Sequence, residues 1–307
     1  QLVSVDERAH FDFYVQVMKL HLADDRQGTL AQLKDVLNGF AMPATHLMAD
    51  SAQRQANQNR FLREEGLVMV ADTRTNAGLD NISTFRKLHV FERPGDRALV
   101  VATAGNLSVT QGALNYLNDG LENPETGAFE TIYDCANMLH AAHFVGRAVR
   151  RARSEAVDPA GQNAGVSFDV SLLLGGQIGC VSPRLFMIYT AGNFIECTPD
   201  TNYLQIGEHK YGKPILDRAV NYEINIHDAL KIGLISMDST IRSNLSVGPP
   251  IDIILLRRDA LRLDVSTRIE ANDPYFRDLR DRWSKALRDA HMGIPAPPYS
   301  GRSSCPS

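Results

Sequence analysis

The sequence is poor in most of the features that point to a specialised role. It has one tryptophan, and its four cysteines (Cys135, Cys180, Cys197 and Cys305) show no CxxC spacing. That argues against a zinc ribbon or a disulfide framework and for reduced, mostly buried thiols, as in a cytoplasmic protein. No apolar run exceeds the length of a strand, so no transmembrane helix is expected. Residues 1–22 mix Asp6, Glu7, Arg8 and His10 with apolar residues, unlike a signal peptide. Neither sign of charge dominates: 22% of residues are charged and the formal net charge is −4. Arg147, Arg150, Arg151 and Arg153 read as one solvated helix end, so neither nucleic acid nor a membrane is expected as partner. No GxGxxG or GxxxxGK[ST] follows a strand, which removes Gly105 and Gly112 as a phosphate loop. His140, His143 and Cys135 lack the spacing of a standard zinc motif and lie on a core-packing helix, so no metal is expected there. The chain opens on Gln1 rather than Met and reads as a fragment, a processed product or an incomplete reading frame.

What is present is material for a large core: 307 residues, 44% of them apolar, enough for one large domain or two small ones. Residues 1–60 differ in character from the rest. Leu30, Leu33, Val36, Leu37 and Phe40 recur at helical spacing over 29–40, and the Gln/Asn-rich SAQRQANQNR of 51–60 reads as a linker or frayed helix. From Leu67 onward short β-type runs appear at 67–71, 88–91 and 97–103, bounded by turn residues. Ser108 with Gln111 has the pattern of a capping box and starts a helix to about Leu121. A second helix spans Ile132–Ala152, with Ile132, Ala136, Leu139, Val145 and Val149 near one face. Strands follow at 166–175, 185–190, 193–197 and 202–206, then helices from Pro214 and over 226–243. The last strands are 251–256 and 261–267, and a final helix carries Phe276, Leu279, Trp283, Leu287 and Ala290 on one stripe. A Pro/Ser tail, 295–307, closes the sequence. Helices arriving in pairs between runs of strands do not build a βαβ sheet. They predict an α+β fold, a four-layer αββα sandwich of two antiparallel sheets.

Within this order one stretch stands out, EGLVMVADTRTNAGLDNISTFRKLHVFE over 65–92. An apolar strand ends on Asp72, a polar loop follows, and the next strand begins with Lys87. Two strands so joined bring an acid and a lysine together, either as a base-and-relay pair or as an ordinary ion pair.

That stretch, together with LFMIYTAGNFIECTPDTNYLQIGEHKYGKPILDR and STIRSNLSVGPPIDIILLRRD, resembles the proteasome-type subunits of the N-terminal nucleophile hydrolases, and within them the bacterial Anbu, or ancestral β-subunit, family. The resemblance covers about Phe61 to His291. It implies a proteasome-type domain over 61–292, an atypical segment over 1–60 and a tail over 293–307. It implies a threonine peptidase acting on peptides or unfolded proteins, without metal or organic cofactor, in a cytoplasmic homo-oligomeric ring or ring-like assembly; it specifies no ATPase partner. In such enzymes an N-terminal threonine hydroxyl attacks a peptide carbonyl and the threonine's own α-amine, with a pKa of about 7.7–8, serves as base. By position Asp72 matches the family's aspartate, which orients its lysine, Lys87. Gly105 matches the glycine whose N–H stabilises the oxyanion. Ser246 lies where the family places polar groups that hold the amine. Glu208-His209-Lys210 replaces the Ser-Gly loop of ordinary proteasome subunits, so no supporting serine carries over there.

The departure is at the nucleophile. Members begin close to Thr-Tyr-Cys-Val-Gly, sixteen residues before the aspartate, and the same count back from Asp72 reaches Ala56. No Gly-Thr junction precedes Phe61, and the hydroxyls of Thr45 and Ser51 lie at the wrong distance. The upstream segment is then out-of-frame sequence, or the chain is an inactive, oligomerising structural subunit, or 1–55 is a propeptide with an atypical cut. An amidohydrolase acting on small amides is the remaining enzymatic alternative.

Overall fold

The computed structural model describes residues 66–76, 82–124, 126–157, 167–297 and 299. The expected helix over 29–40, the polar stretch 51–60, Thr45, Ser51, Ala56, Cys305 and the end of the tail lie outside the described residues. The chain begins with β1 (Gly66–Asp72), the hairpin β2 (Arg74–Asn76) and β3 (Ile82–Thr84), then β4 (Leu88–Arg93) and β5 (Arg97–Gly105). Helix α1 (Leu107–Asp119), a small hairpin of β6 (Leu121–Glu122) and β7 (Phe129–Glu130), a 3₁₀ turn (Ile132–Asp134) and helix α2 (Met138–Ala156) come after it. Next are β8 (Val170–Ile178), β9 (Arg184–Tyr189), β10 (Phe194–Glu196), α3 (Lys213–Ala219) and α4 (Ile226–Ser243). The last elements are β11 (Ile251–Arg257), β12 (Val265–Ile269) and α5 (Pro274–Gly293).

Two antiparallel sheets form the middle of the described domain. One has the order β10-β9-β8-β5-β4, the other β1-β11-β12. The two-residue repeat of a strand sends alternate side chains to opposite faces, and here both faces of the central strands β5, β8 and β11 are covered. In β5, Leu99 and Val101 join Val109 and Leu117 of α1 and Phe144 and Val145 of α2 in one core. The intervening Val100 and Ala102 meet Met69 of β1, Leu173 of β8 and Ile254 of β11 between the sheets. In β11, Ile251 and Ile253 turn the other way, onto Leu234 of α4 and Phe276 and Leu279 of α5. Three cores separate four layers, helices, sheet, sheet and helices, which is the αββα sandwich. Each large apolar side chain wholly removed from water contributes about 1.5–3 kcal/mol.

Double coverage explains where the local pattern misleads. The strand expected over 166–175 sits at Val170–Ile178 and is buried almost continuously, so alternation from Phe168 onward is no guide to its limits. Helix α1 is capped by Asn106, whose side chain accepts the Val109 N–H, rather than by Ser108. The helix expected from Ile132 begins at Met138, because Asn137 caps it and a Thr131–Asp134 capping box closes the preceding turn. Its buried face therefore runs through Met138, Ala141, Ala142, Val145 and Val149, leaving Ala136 and Leu139 exposed. Residues 202–206 form no strand; Leu204 and Ile206 cover the inter-sheet core from a loop. On α5 only Phe276 and Leu279 of the expected stripe are buried, and Leu287 is exposed. No helix among the described residues is long and apolar enough to cross a membrane.

Candidate active site

Asp72 is the last residue of β1 and is 7% exposed, and Lys87 lies one residue before β4. The β1 and β4 ends meet because the chain between them folds back as the β2–β3 hairpin, closed by the Phe85 N–H on the Thr73 carbonyl at 2.8 Å. Lys87 Nζ donates to Asp72 Oδ1 at 2.6 Å. The other carboxylate oxygen, Oδ2, accepts two backbone N–H groups, from Arg74 at 3.0 Å and from Gly248 at 3.2 Å. The carboxylate therefore ties together three separate stretches: the β1–β2 turn, the start of β4 and the α4–β11 loop. Thr73 adds a fourth tie, its hydroxyl donating to the Pro250 carbonyl at 2.8 Å.

The lysine's own backbone is fixed as well. Its carbonyl accepts the Thr103 N–H at 3.0 Å, which extends the β4–β5 pairing one residue beyond the strand. Two residues on, the same edge of β5 carries the N–H of Gly105, since alternate amides of a strand point to the same side. The intervening direction is confirmed by Asn106, whose N–H turns to the Asp169 carbonyl of the opposite neighbour at 2.9 Å. Gly105 itself has φ +105°, and a Cβ there would lie 2.3 Å from the Asp169 carbonyl oxygen. Only glycine fits this corner.

Asp72, Lys87 and Gly105 thus come to one end of the sandwich, and the loop carrying Ser246 joins them through Gly248. Ser246 is exposed; its N–H donates to Asn244 Oδ1 at 2.9 Å. Two contributors, Arg74 and Gly248, were not singled out from the sequence, and a third, Glu208, stood out there only as a departure from the Ser-Gly loop of ordinary proteasome subunits. Arg74 reaches across to the Leu245 carbonyl at 2.8 Å. Gly248 packs on that guanidinium, where a Cβ would stand 2.5 Å from Arg74 Cζ. Glu208 accepts from Asn244 Nδ2 at 2.8 Å. The only local sign of the first two was an Arg two residues after the acid and a Gly before Pro-Pro, both readable as turn chemistry.

The other titratable groups weighed from the sequence are engaged elsewhere. His140 Nδ1 accepts the Ala136 N–H at 3.2 Å, and His143 packs edge-on against Phe194 with centroids 4.8 Å apart. Burial pushes the Cys135 thiol up to about 12. No group of three His, Cys, Asp or Glu among the described residues could hold a metal ion.

No protein-family model matches the chain, and no curated protein does. Solved structures do match. The chain is similar to Anbu from Hyphomicrobium sp. strain MC1, with 47% identity over 76% of this chain and 95% of that one, and a TM-score of 0.69. It is similar to Anbu (ancestral beta-subunit) from Yersinia bercovieri, with 44% identity over 76% and 94% of the two chains and a TM-score of 0.69. It is also similar to the Pseudomonas aeruginosa protein solved as the helical assembly of the Anbu complex, with 42% identity over 76% and 95% and a TM-score of 0.70.

Proposed function

Because the chain belongs to the Anbu (ancestral β-subunit) family, which is proteasome-like, we propose that its sandwich carries the supporting half of a threonine-type peptidase site. The observation that carries this reading is the Lys87 ammonium at 2.6 Å from a carboxylate that three donors hold in place. In the reaction so supported, a threonine hydroxyl attacks a peptide carbonyl and its α-amine takes the hydroxyl proton. Lys87 keeps the local field positive and favours the developing alkoxide. Asp72 fixes Lys87, and the Gly105 N–H faces the oxyanion. Residues 61–292 form the working domain. The substrate is a peptide or unfolded protein in the cytoplasm, and copies of the chain assemble with one another, as the helical assembly of the Pseudomonas relative supports.

In this sequence Ala56 occupies the nucleophile's place, so the chain as it stands hydrolyses no peptide. The same alanine favours a second reading, an oligomerising subunit with no chemistry. The test is a variant in which a strand opening on Thr-Tyr-Cys-Val-Gly replaces the sequence before Gly66, with the threonine N-terminal and sixteen residues before Asp72. Gain of peptide hydrolysis, lost again with Lys87→Ala, supports the peptidase site. A correctly folded variant without turnover favours the structural subunit, and turnover of small amides alone favours an amidohydrolase. Cleavage by the unaltered chain, abolished by Asp72→Ala, would overturn the assignment of Ala56.

A further inference from the structure

The loop from Gly207 to Gly212 is bonded to the α4–β11 loop of the site. Glu208 Oε1 accepts the Lys210 N–H at 2.8 Å, and Oε2 accepts Asn244 Nδ2 at 2.8 Å. The Glu208 carbonyl takes a further bond from Gln205 Nε2 at 2.9 Å, which pins the residue's backbone. Asn244 uses its other side-chain atom, Oδ1, to accept the Ser246 N–H at 2.9 Å. Two residues on, the Gly248 N–H reaches Asp72.

An asparagine amide can sit either way round in the same space, and the two orientations exchange a donor for an acceptor. Here both neighbours dictate one orientation. Ser246 presents an N–H and requires the amide oxygen, while Glu208 presents an oxygen and requires the NH₂. Glu208 can do this only as a group that accepts at both oxygens, since the Lys210 N–H faces its other side. The Lys210 N–H bond, aided by the Asn244 amide, holds the Glu208 carboxyl below the ordinary glutamate range and so ionised near neutral pH.

We infer that Glu208 is a positioning residue for the Asp72–Lys87 site: its carboxylate sets the orientation of the Asn244 side chain, and through it the Ser246–Gly248 loop that donates to Asp72. The inference rests on the reading of Asp72 and Lys87 as the working pair. Glu208 touches no reacting atom; its role is to keep the Gly248 N–H on Asp72 Oδ2, so that Oδ1 faces Lys87.

The polarity of the chain of bonds gives the test. Glu208→Gln offers one acceptor where two are needed, so a donor faces a donor at either Lys210 or Asn244. Asn244→Asp sets two carboxylates against each other. The double variant Glu208→Gln/Asn244→Asp reverses the pair: the new carboxylate accepts from Ser246 and from the new amide, whose oxygen accepts from Lys210. Every bond is restored with the charge unchanged. The measurements are amide hydrogen exchange at Ser246 and Gly248 and the nitrogen-15 chemical shift of the Lys87 ammonium, made on the full chain. Either single variant should speed exchange at both amides roughly tenfold, the equivalent of one lost hydrogen bond. It should also move the Lys87 ammonium resonance, because Asp72 loses a competing donor and its contact with Nζ changes. Exchange in β8 should stay unchanged, and the double variant should return both readouts to the parent's. Unchanged exchange in Glu208→Gln, or a double variant no better than the singles, overturns the inference. Neither readout needs turnover, so an inactive chain leaves the inference standing, and its failure leaves the Asp72–Lys87 reading intact.

Discussion

Replacing Asp72 by asparagine changes one oxygen to NH₂ with almost no change in shape, and the geometry of the three donors decides its cost. The carboxylate serves Lys87 on one oxygen and two backbone N–H groups on the other. The asparagine has one acceptor to offer. If its oxygen faces Lys87, the Arg74 and Gly248 N–H groups both face a donor, at about 1–3 kcal/mol for each unsatisfied group. If its oxygen keeps the two amides, only the lysine bond is lost, a charge-assisted contact worth about 1.5–3 kcal/mol. The second orientation wins, and the Lys87 side chain, already 24% exposed, swings toward water and recovers part of that loss. The expected destabilisation is about 2 kcal/mol, or a Tm lower by roughly 4–8 °C for a domain of this size. Asp72→Ala satisfies none of the three donors, leaving two backbone N–H groups as well as the lysine contact unmet, and should cost about 3–5 kcal/mol. Thermal unfolding by circular dichroism, with urea titration as a second probe, measures both. An Asp72→Asn variant within about 0.5 kcal/mol of the parent, the range of ordinary surface changes, would refute the three-donor account of the carboxylate.

Gly105→Ala forces a Cβ to 2.3 Å from the Asp169 carbonyl at φ +105° and should cost roughly 2–4 kcal/mol; Gly95→Ala, at φ +81° with nothing within 4 Å, should cost clearly less in the same urea titrations. Burial lowers the His89 pKa, so the unfolded chain binds this proton first on acidification: the stability from a neutral His89 is complete above its ordinary value near 6.5 and is lost as pH falls toward the folded value. Urea titrations from pH 7.5 to 5 should show a steeper loss for the parent than for His89→Gln, and parallel curves would contradict the burial. Iodoacetamide at pH 8 should label exposed Cys180 in the native protein, while Cys135, buried and pushed up to about 12, reacts only after unfolding; equal native rates by mass spectrometry would place Cys135 at the surface.

The layer order was legible because it depends on coarse alternation of element type, which survives errors at element ends. The limits of β8 were not, since coverage on both faces removes the period-2 signal that marks a strand's register. Leu204 and Ile206 have the composition of a strand yet cover the inter-sheet core from a loop, where tertiary contact overrides local preference. At the site, Asp72 and Lys87 could be paired from the sequence because one short hairpin separates them. Arg74, Gly248 and Glu208 could not, because their partners lie 171, 176 and 36 residues away along the chain, and nothing local announces a contact that distant.

Those separations also set a schedule. Strand β1 pairs only with β11 among the described strands, in a register joining Asp72 to Ile251. Non-local pairings of this kind are the slow part of folding, and a chain synthesised at about 5–20 residues per second needs roughly 9 to 35 seconds to go from residue 72 to residue 248. Throughout that interval Asp72 lacks its Gly248 donor and β1 has no β11 beside it. A nascent or C-terminally truncated subunit can therefore build the β4–β5–β8–β9 meander while its site is still open, so the site itself reports that the whole domain has been made.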